Sequence, residues 1–548
     1  MVNSAPQPDF RPATPETDLE KFSTTVNFRE MFDAGVRLEA SAFNIEAHNA
    51  VTALENSGLQ LIPLYGKDGL CQEAHNAFRF KRTYVSPERG VPFLSSSDII
   101  NLRPRINHYL SRKHTKNLDK LLIQQWDILI SCSGTVGNIG LASETFVGKA
   151  LSQHAIRLRA IDADTAGYIA AFLRSRYGRP QLTQATYGSV IVHIEPEHLT
   201  RVLIPNLHTI RRIEIGRQMC KAGELRDEAN RLLDEADRLL HERLNLPYLD
   251  SIASVHEQFS TTTIKASQWM GRLEGSFHDP VALAAEKQLR ELSVEVATVG
   301  NVRVTREVRA ITKFRKRVYV EKGGIPLLSS KQIFQVDPVD VKRLAKGAHT
   351  KDLPEIQLEE NMIAVTRSGT IGRVQIIPAY MAQWTASEHA TRFLAASDMN
   401  PGYLYAWLAS DYGYCLITRH SYGSVILEVD KEMFSSVPIP IPEPSIRGEI
   451  GNLVLKANAL RDEAWHKEQD AINKLENLIA KVRVVEAKAQ AVGAVSAIGE
   501  LSFDPDAPPI WELVAEISAQ VPDEEWKKLP TDLARRFDYY QQQKQRDD

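Results

Sequence analysis

The chain has 548 residues, 43% apolar and 25% charged, with a net charge of −3 and four cysteines. A chain of this length holds roughly two to four globular domains, and no apolar run in it is long enough to cross a bilayer, so no membrane partner is expected. Cys71, Cys132, Cys220 and Cys415 are scattered, with no CxxC pair. Neither a zinc site nor a disulfide framework is therefore indicated, and the expected compartment is the cytoplasm.

Residues 1–20 carry proline, threonine and aspartate without a basic region and apolar core, and are expected to form a disordered leader. From there the chain is written twice. Phe22-Ser23-Thr24-Thr25 returns as Phe259-Ser260-Thr261-Thr262, and Arg37-Leu38-Glu39 as Arg272-Leu273-Glu274. Lys81-Arg82 returns as Lys316-Arg317, Pro92-Phe93-Leu94-Ser95-Ser96 as Pro326-Leu327-Leu328-Ser329-Ser330, and His114-Thr115-Lys116 as His349-Thr350-Lys351. Three further motifs, beginning at Ser133, Ser152 and Tyr187, recur from Ser368, Ser387 and Tyr422 at a constant offset of 235 residues. They read Ser-Gly-Thr-x-Gly, Ser-x-His-Ala and Tyr-Gly-Ser-Val-Ile. A fixed offset over three motifs marks an internal duplication.

Within each unit, short β-branched runs such as Ile128-Leu129-Ile130 and Met362-Ile363-Ala364-Val365 end at the Ser-Gly-Thr turns, where glycine supplies a positive φ. A short helix follows at Tyr168–Leu173 and Tyr403–Leu408, and Ile204-Pro205 and Ile439-Pro440 close each strand-rich domain. Each proline precedes a long helical pattern. Ala222, Leu225, Ala229, Leu232, Ala236 and Leu239 follow 3-4 spacing in the first. In the second, Ala464, Ala471, Leu475, Leu478, Val482, Val485, Ala489 and Val492 form a heptad seam with Glu468 as its one polar member. Leu225-Arg226-Asp227-Glu228-Ala229, repeated as Leu460-Arg461-Asp462-Glu463-Ala464, lies inside both helices. The expected fold is α+β: domains at 21–207 and 255–442, long helices at 208–247 and 443–492 pairing as an antiparallel coiled coil, and a small acidic helical appendage at 501–548.

The net charge hides an asymmetry. Residues 78–130 carry +6 and residues 303–352 carry +8, which leaves −17 for the rest of a chain whose total is −3. Basic charge concentrated at equivalent places in both copies fits a phosphate-binding surface. The candidates in the first copy are Arg79, Lys81, Arg82, Arg103, Arg105, Tyr109, Arg112, Lys113, His114 and Lys116, with Tyr187 and Ser189 of the third motif. In the second they are Arg315, Lys316, Arg317, Lys342, Arg343, Lys346, His349, Lys351 and Arg367, with Tyr422 and Ser424. Matched positions suit the phosphates, which are the same in every sequence. Positions that differ suit base reading: Arg103 against Pro338, Tyr109 against Leu344, and Arg367 against Cys132.

The usual signs of catalysis are missing. Gly148-Lys149 lacks the rest of a phosphate-binding loop, there is no Gly-rich nucleotide turn, and no Asn-Pro-Pro-aromatic tetrapeptide of the adenine methyltransferase type occurs. In Pro522-Asp523-Glu524-Glu525-Trp526-Lys527 the carboxylates are too close together for a nuclease element and read as a helix start. His154 and His389 recur with no carboxylate or cysteine obviously beside them, and a structural role is expected. No catalytic residue and no metal site are assigned. The duplication leaves two classes open: a DNA-reading protein, favoured by the basic windows, and a scaffold whose repeated domains join other proteins.

The Arg-Leu-Glu starts, the Ser-Gly-Thr-x-Gly turns, the Tyr-Gly-Ser-Val-Ile segments and the Ile-Pro steps before long helices resemble the specificity subunits of type I restriction–modification enzymes, over about residues 20 to 490. The resemblance implies a non-catalytic subunit in which each domain reads one half of a bipartite sequence in double-stranded DNA. It also implies helices that set the spacer and dock two methyltransferase subunits, with a translocating restriction subunit as an optional partner. S-adenosylmethionine would belong to the methyltransferase subunits, leaving no cofactor in this chain. Three features depart from the family pattern: glutamate rather than aspartate at Glu39 and Glu274, the absence of Pro-Pro-x-x-Glu-Gln before the helices, and the C-terminal appendage.

Overall fold

The computed structural model describes residues 43–71, 73–78, 80–184, 193–252, 261–266, 271–310 and 317–497, with side chains as far as residue 480. The leader 1–20, the Arg37-Leu38-Glu39 start, the first Tyr-Gly-Ser-Val-Ile copy and the 501–548 appendage lie outside the described residues. One compact unit runs to Val484, and of the second unit beyond it only helical backbone as far as Ala497 is described.

The first domain opens with helix α1 (Ile45–Glu55), capped by the Asn44 side chain, which accepts from the Glu46 N–H at 2.8 Å. Strands β2 (Glu73–Asn76), β6 (Ile128–Ser131), β7 (Ile139–Leu141) and β9 (Ala155–Arg159) form one antiparallel sheet in the order β2-β9-β6-β7. Strands β3 (Tyr84–Val85), β4 (Gly90–Leu94), β5 (His108–Ser111) and β8 (Ala150–Leu151) form a second, in the order β3-β5-β4-β8. Strands β1 (Leu61–Pro63) and β10 (Leu203–Pro205) pair separately. All four residues of β6 are buried, as expected of an apolar strand covered on both faces.

The second domain repeats this plan. Strands β12 (Thr305–Arg309), β15 (Ile363–Thr366), β16 (Val374–Ile376) and β18 (Ala390–Ala395) order as β12-β18-β15-β16. Strands β13 (Ile325–Leu328), β14 (Lys342–Leu344) and β17 (Thr385–Ala386) order as β14-β13-β17, and β11 (Glu295–Thr298) pairs with β19 (Pro438–Ile441). The duplication is therefore one of topology as well as of sequence.

A helix in each domain, α2 (Ala163–Arg174) and α5 (Pro401–Ala409), packs against the start of the long helix that follows it, α3 (Thr209–Leu244) or α7 (Pro444–Ala497), and the second domain adds α4 (Pro280–Glu291) and α6 (Asp411–Thr418). The crossing is made at glycine in both copies. A Cβ on Gly167 would stand far inside contact distance of the Gly216 carbonyl, and one on Gly402 would do the same to Gly451. Both pairs obey the offset of 235. Tyr168 and Tyr403, each fully buried, donate from their hydroxyls to the carbonyls of Pro205 and Pro440 at 2.5 and 2.8 Å, fixing each helix to its closing strand. Because the obstacle is backbone, no rotamer change can relieve it. Gly402→Ala is thus expected to cost about 1–3 kcal/mol or more, measured by denaturant unfolding. Gly448→Ala on the same long helix, where a Cβ meets nothing within 4 Å, should be neutral or stabilising.

The long helices end later or earlier than the pattern predicts. The first stops at Leu244 because Asn245 takes the left-handed conformation with φ 51°. They run antiparallel: partners on α3 ascend through Glu214, Arg226, Asn230 and Arg243 while those on α7 descend through Lys474, Glu468, Arg461 and Glu449. They do not stand apart from the domains as a free pair, however. Ile215 and Met219 of α3 join the first domain's core, whereas Ala229, Leu232, Leu233, Ala236, Leu239, Leu240 and Leu244 join the second's. Reciprocally, Ile450, Val454 and Ala457 of α7 pack into the second domain and Ala471, Ile472, Leu475 and Ile479 into the first. Each helix therefore begins on its own domain and packs further along its length into the other's core. The buried seam on α7 turns from Leu475 to Ile479 rather than to Leu478, which is only partly buried.

Glu468, the polar member of that seam, is buried between two guanidiniums. It accepts from Arg226 at 2.5 and 2.6 Å and from Arg174 at 3.1 Å. Asp337 of the second domain completes the group by pairing with Arg174 and Arg179 of the first. The domains also touch directly: the Leu102 N–H donates to the Phe334 carbonyl at 2.9 Å and the Val336 N–H to the Ile100 carbonyl at 2.8 Å. That short antiparallel bridge joins Asn101 to Gln335.

Candidate nucleic-acid interface

The basic segments that lie apart in sequence are brought together by the second sheet of each domain. The Ser111 N–H donates to the Thr83 carbonyl at 2.9 Å and the Arg112 N–H to the Arg89 carbonyl at 3.3 Å. Lys81 and Arg82 thereby sit beside Arg112 and Lys113, and all four are exposed. The second domain repeats the contact, since the Ala345 N–H donates to the Val318 carbonyl at 2.9 Å and the Val320 N–H to the Arg343 carbonyl at 3.0 Å. Arg317 is thus set beside the segment carrying Lys342, Arg343, Lys346 and Lys351, these last four also exposed.

Pairing separates these cations from the others. The long helices are laced with local ion pairs, such as Arg231 with Glu228 and Arg238 with Glu235 and Glu242. Among the described residues, no carboxylate pairs with Lys81, Arg82, Arg112, Lys113, Lys116, Lys342, Arg343, Lys346 or Lys351. Lys342 lies 5.1 Å from the Tyr319 ring centre and Arg82 5.2 Å from that of Phe93, so rings rather than acids orient them. Unneutralised, exposed cations at one place in each domain are what a polyanion contacts.

The three duplicated motifs converge in space at the end of the first sheet. The Arg367 N–H donates to the His389 carbonyl at 3.0 Å, the Val429 N–H to the Arg367 carbonyl at 2.9 Å and the Gly369 N–H to the Leu427 carbonyl at 3.0 Å. The first domain shows the same ladder, from the Cys132 N–H to the His154 carbonyl and from the Ile194 N–H to the Cys132 carbonyl, both at 3.0 Å. Gly134 and Gly369 have φ of 77° and 75°, so the turn itself demands glycine. Around the second cluster, Glu428 accepts from Ser368 Oγ at 3.2 Å and lies 3.8 Å from Arg367. Tyr422 is partly exposed, Ser424 is exposed, and the loop tip beyond them is apolar and uncovered, with Val425 93% exposed.

Of the candidate residues, five fall outside the described part and several others sit differently from the sequence expectation. Arg79, Tyr187, Ser189, Arg315 and Lys316 lie outside the described residues. His349, expected on the surface, is 2% exposed: its Nε2 accepts from the Val318 N–H at 2.9 Å and its Nδ1 meets Asp352 Oδ2 at 3.0 Å. It therefore holds the basic segments together from inside. His114 of the matching motif remains exposed, 3.1 Å from Ser111 Oγ. Arg103 pairs with Asp234 on α3, and the Arg105 guanidinium covers the Tyr414 ring of the other domain at 4.3 Å. Both belong to the seam between the domains. Arg317 pairs with Glu388.

The matching of unlike positions also shifts by one. Strand register aligns Pro92 with Tyr109 in the first domain and Pro326 with Arg343 in the second. Tyr109 therefore corresponds to Arg343, not Leu344, and Leu110 to Leu344, both fully buried. The Asn101–Gln335 bridge likewise makes Asp337, not Pro338, the counterpart of Arg103. The Arg367–Cys132 match stands, since the two occupy the same rung of the ladder above.

Neither recurring histidine is isolated as expected. His389 Nε2 lies 3.9 Å from Glu388, and Cys132 Sγ lies 3.6 Å from the carbonyl of Gln153, the neighbour of His154. Burial pushes the Cys132 thiol up to about 12, which keeps it un-ionised and unreactive near neutral pH. The four cysteines are free, and among the described residues no group of His, Cys, Asp and Glu is arranged to hold a metal ion. No described helix is long and apolar enough to cross a membrane.

Residues 301–456 match the family model of the type I restriction modification DNA specificity domain. The match lies in the second domain and the start of α7. No curated protein matches the chain. Among solved structures, the S subunit of the type I restriction-modification system from M. genitalium is similar at 12% identity and a TM-score of 0.29, over 77% of this chain and 98% of that one. The HsdS subunit from Thermoanaerobacter tengcongensis is similar at 15% identity and a TM-score of 0.24, over 78% and 96%.

Proposed function

We propose that this chain is the DNA sequence-specificity subunit of a type I restriction–modification system, or of a related defence system, recognising DNA and leaving catalysis to its partners. The observation that carries the reading is the coincidence of two facts. The second domain matches a DNA specificity domain, and the first repeats its strand order and its cluster of unpaired cations. One recognition module present twice, across an antiparallel helix pair, suits a bipartite DNA target.

In this reading Lys81, Arg82, Arg112, Lys113, His114 and Lys116, with Lys342, Arg343, Lys346 and Lys351, contact phosphates and position the duplex. Arg367, Tyr422 and Ser424 face the bases of one half-site: the arginine fork suits guanine, and the apolar tip at Val425 suits a thymine methyl group. Cys132 at the matched position offers no such fork, so the two half-sites differ. Two methyltransferase subunits carrying S-adenosylmethionine are the partners expected to act on the bound DNA, with a translocating restriction subunit as an optional addition.

The test is salt dependence. Lys81→Ala with Arg82→Ala should weaken binding of the assembled complex to specific and non-specific duplexes alike. Its log K against log salt slope should become shallower by about 0.9 for each phosphate that is no longer neutralised. An unchanged slope and affinity would assign the cations elsewhere and favour a protein scaffold. Arg367→Ala should instead relax one base position in one half-site, by about 1–3 kcal/mol of discrimination.

A further inference from the structure

The halves of the molecule differ at a place where the repeat should make them alike. In one half, Arg226, Arg174 and Arg179 are neutralised by Glu468 and Asp337. At the equivalent place in the other half, Arg461 stands for Arg226, Ala409 for Arg174 and Tyr414 for Arg179, while Leu233 stands for Glu468 and Arg103 for Asp337. One arginine of the three has been kept, and both carboxylates have been replaced, one of them by a further arginine.

Arg461 is 2% exposed. Its Nη2 donates to Asn230 Oδ1 at 3.3 Å, while its Nε and Nη1 are buried with no hydrogen-bond partner. In front of it lies a cavity of about 430 Å³ at the seam of the two domains, lined by Arg103, Arg105, Arg373, Arg461, Tyr405 and Tyr414. The Arg373 guanidinium stacks on the Phe334 ring at 4.0 Å and that of Arg105 on the Tyr414 ring at 4.3 Å. Among the described residues, none of Arg105, Arg373 and Arg461 is paired with a carboxylate. Burial and the neighbouring Arg105 both disfavour the charge on Arg373, and Asp98 offsets them only in part. Of the acids at the cavity wall, Asp411 is committed to the Leu249 N–H at 2.7 Å and lies 3.3 Å from His241, and burial raises the Asp237 carboxyl.

We propose that this cavity binds a phosphate group carried by a small molecule, held in front of Arg461 by the guanidiniums of Arg105 and Arg373. Arginine forks match phosphate oxygens in pairs and remain charged, and the volume falls in the range of small-ligand sites. An occupant would tie Arg105 of the first domain to Arg373 of the second, replacing the ion pairs that close the other half. The ligand is then a brace for the angle between the domains.

The test uses the full chain and two probes, inorganic phosphate and ATP, each against sodium chloride at matched ionic strength. A saturable rise in melting temperature, with a one-site isotherm in calorimetry, is expected. Equal affinity for both probes assigns the free anion, and tighter binding of ATP assigns a nucleotide. Arg105→Gln with Arg373→Gln should weaken either probe by roughly tenfold or more and leave the unliganded melting temperature unchanged or higher. If that double variant fails to fold, Arg103→Gln alone, on the more exposed wall, should show the same direction. No saturable shift with either probe overturns the proposal, and so does a shift that the folded variants retain undiminished.

Discussion

Glu468→Ala is expected to destabilise the protein by about 3–5 kcal/mol, because it leaves two guanidiniums at the junction of the domains with their main counter-ion gone. Glu468 is 3% exposed, Arg174 is 9% exposed, and water cannot take over the solvation that the carboxylate supplies. Asp337→Ala should cost less, since its side chain is 27% exposed and solvent can partly replace it. The sign with pH follows from the same geometry. Burial by itself would raise the Glu468 carboxyl, but Arg174 and Arg226 overcome it and hold the group at about 2, below its ordinary value of 4.5. A depressed folded-state value means that the contribution is complete above pH 4.5 and is lost as the pH falls toward 2. The stability gap between wild type and Glu468→Ala in urea unfolding should therefore be largest near neutrality and narrow through that acid window. A gap that stays constant down to pH 2 would show that the ion group is not what Glu468 contributes.

The second large effect concerns the spacer. Inserting seven residues after Ala229 and seven after Ala464 should lengthen the spacer between the half-sites by about three base pairs, since a heptad of helix is roughly 10.5 Å long and duplex DNA rises about 3.4 Å per base pair. The insertion points leave most of each core intact: Arg226, Glu468 and the Ala471–Ile479 segment stay with the first domain, while Arg461 and the Leu232–Leu244 part of α3 stay with the second. The insertion breaks the Asn101–Gln335 bridge, the Asp337 pairs with Arg174 and Arg179, the bonds of Asn230 to Leu102 and Thr145, and the packing of Ala464 on Ala222 and Leu225. A single insertion should fail, because lengthening only one of two antiparallel helices pulls the buried residues of that helix out of the opposite core. Sequencing methylated sites in cells carrying the double insertion reads the result. An unchanged spacer with unchanged half-sites would sink the idea that the helices act as the ruler.

Much of the fold is legible in local pattern. The offset of 235 residues predicts two domains of one topology, and the strand orders repeat as it requires. The Ser-Gly-Thr turns fall where glycine takes a positive φ, and Asn400 and Asp162 cap the corresponding helices, about one turn apart in the repeat, by accepting backbone N–H bonds at 2.8 and 2.7 Å. The glycine pairs at 167/216 and 402/451 are visible as repeats, but nothing in sequence says that two backbones will meet there. The candidate interface is readable as two basic windows. Which members face solvent is not: His114 and His349 share one motif, and only the second is drawn inward, by a bond to a strand-side N–H 31 residues away.

The duplication, the alternation of strand-rich domain and long helix, and the concentration of basic charge in both copies can be read along the chain, because periodicity, turn glycines and charge density are properties of neighbours in sequence. Only the folded chain shows that each long helix passes into the other domain's core, that Tyr109 answers to Arg343, and that Glu468 neutralises Arg174 and Arg226 while Arg461 has no carboxylate partner among the described residues. These depend on register, where a one-residue slip changes the face of a strand, and on partners 242 and 294 residues apart. No local pattern carries that information.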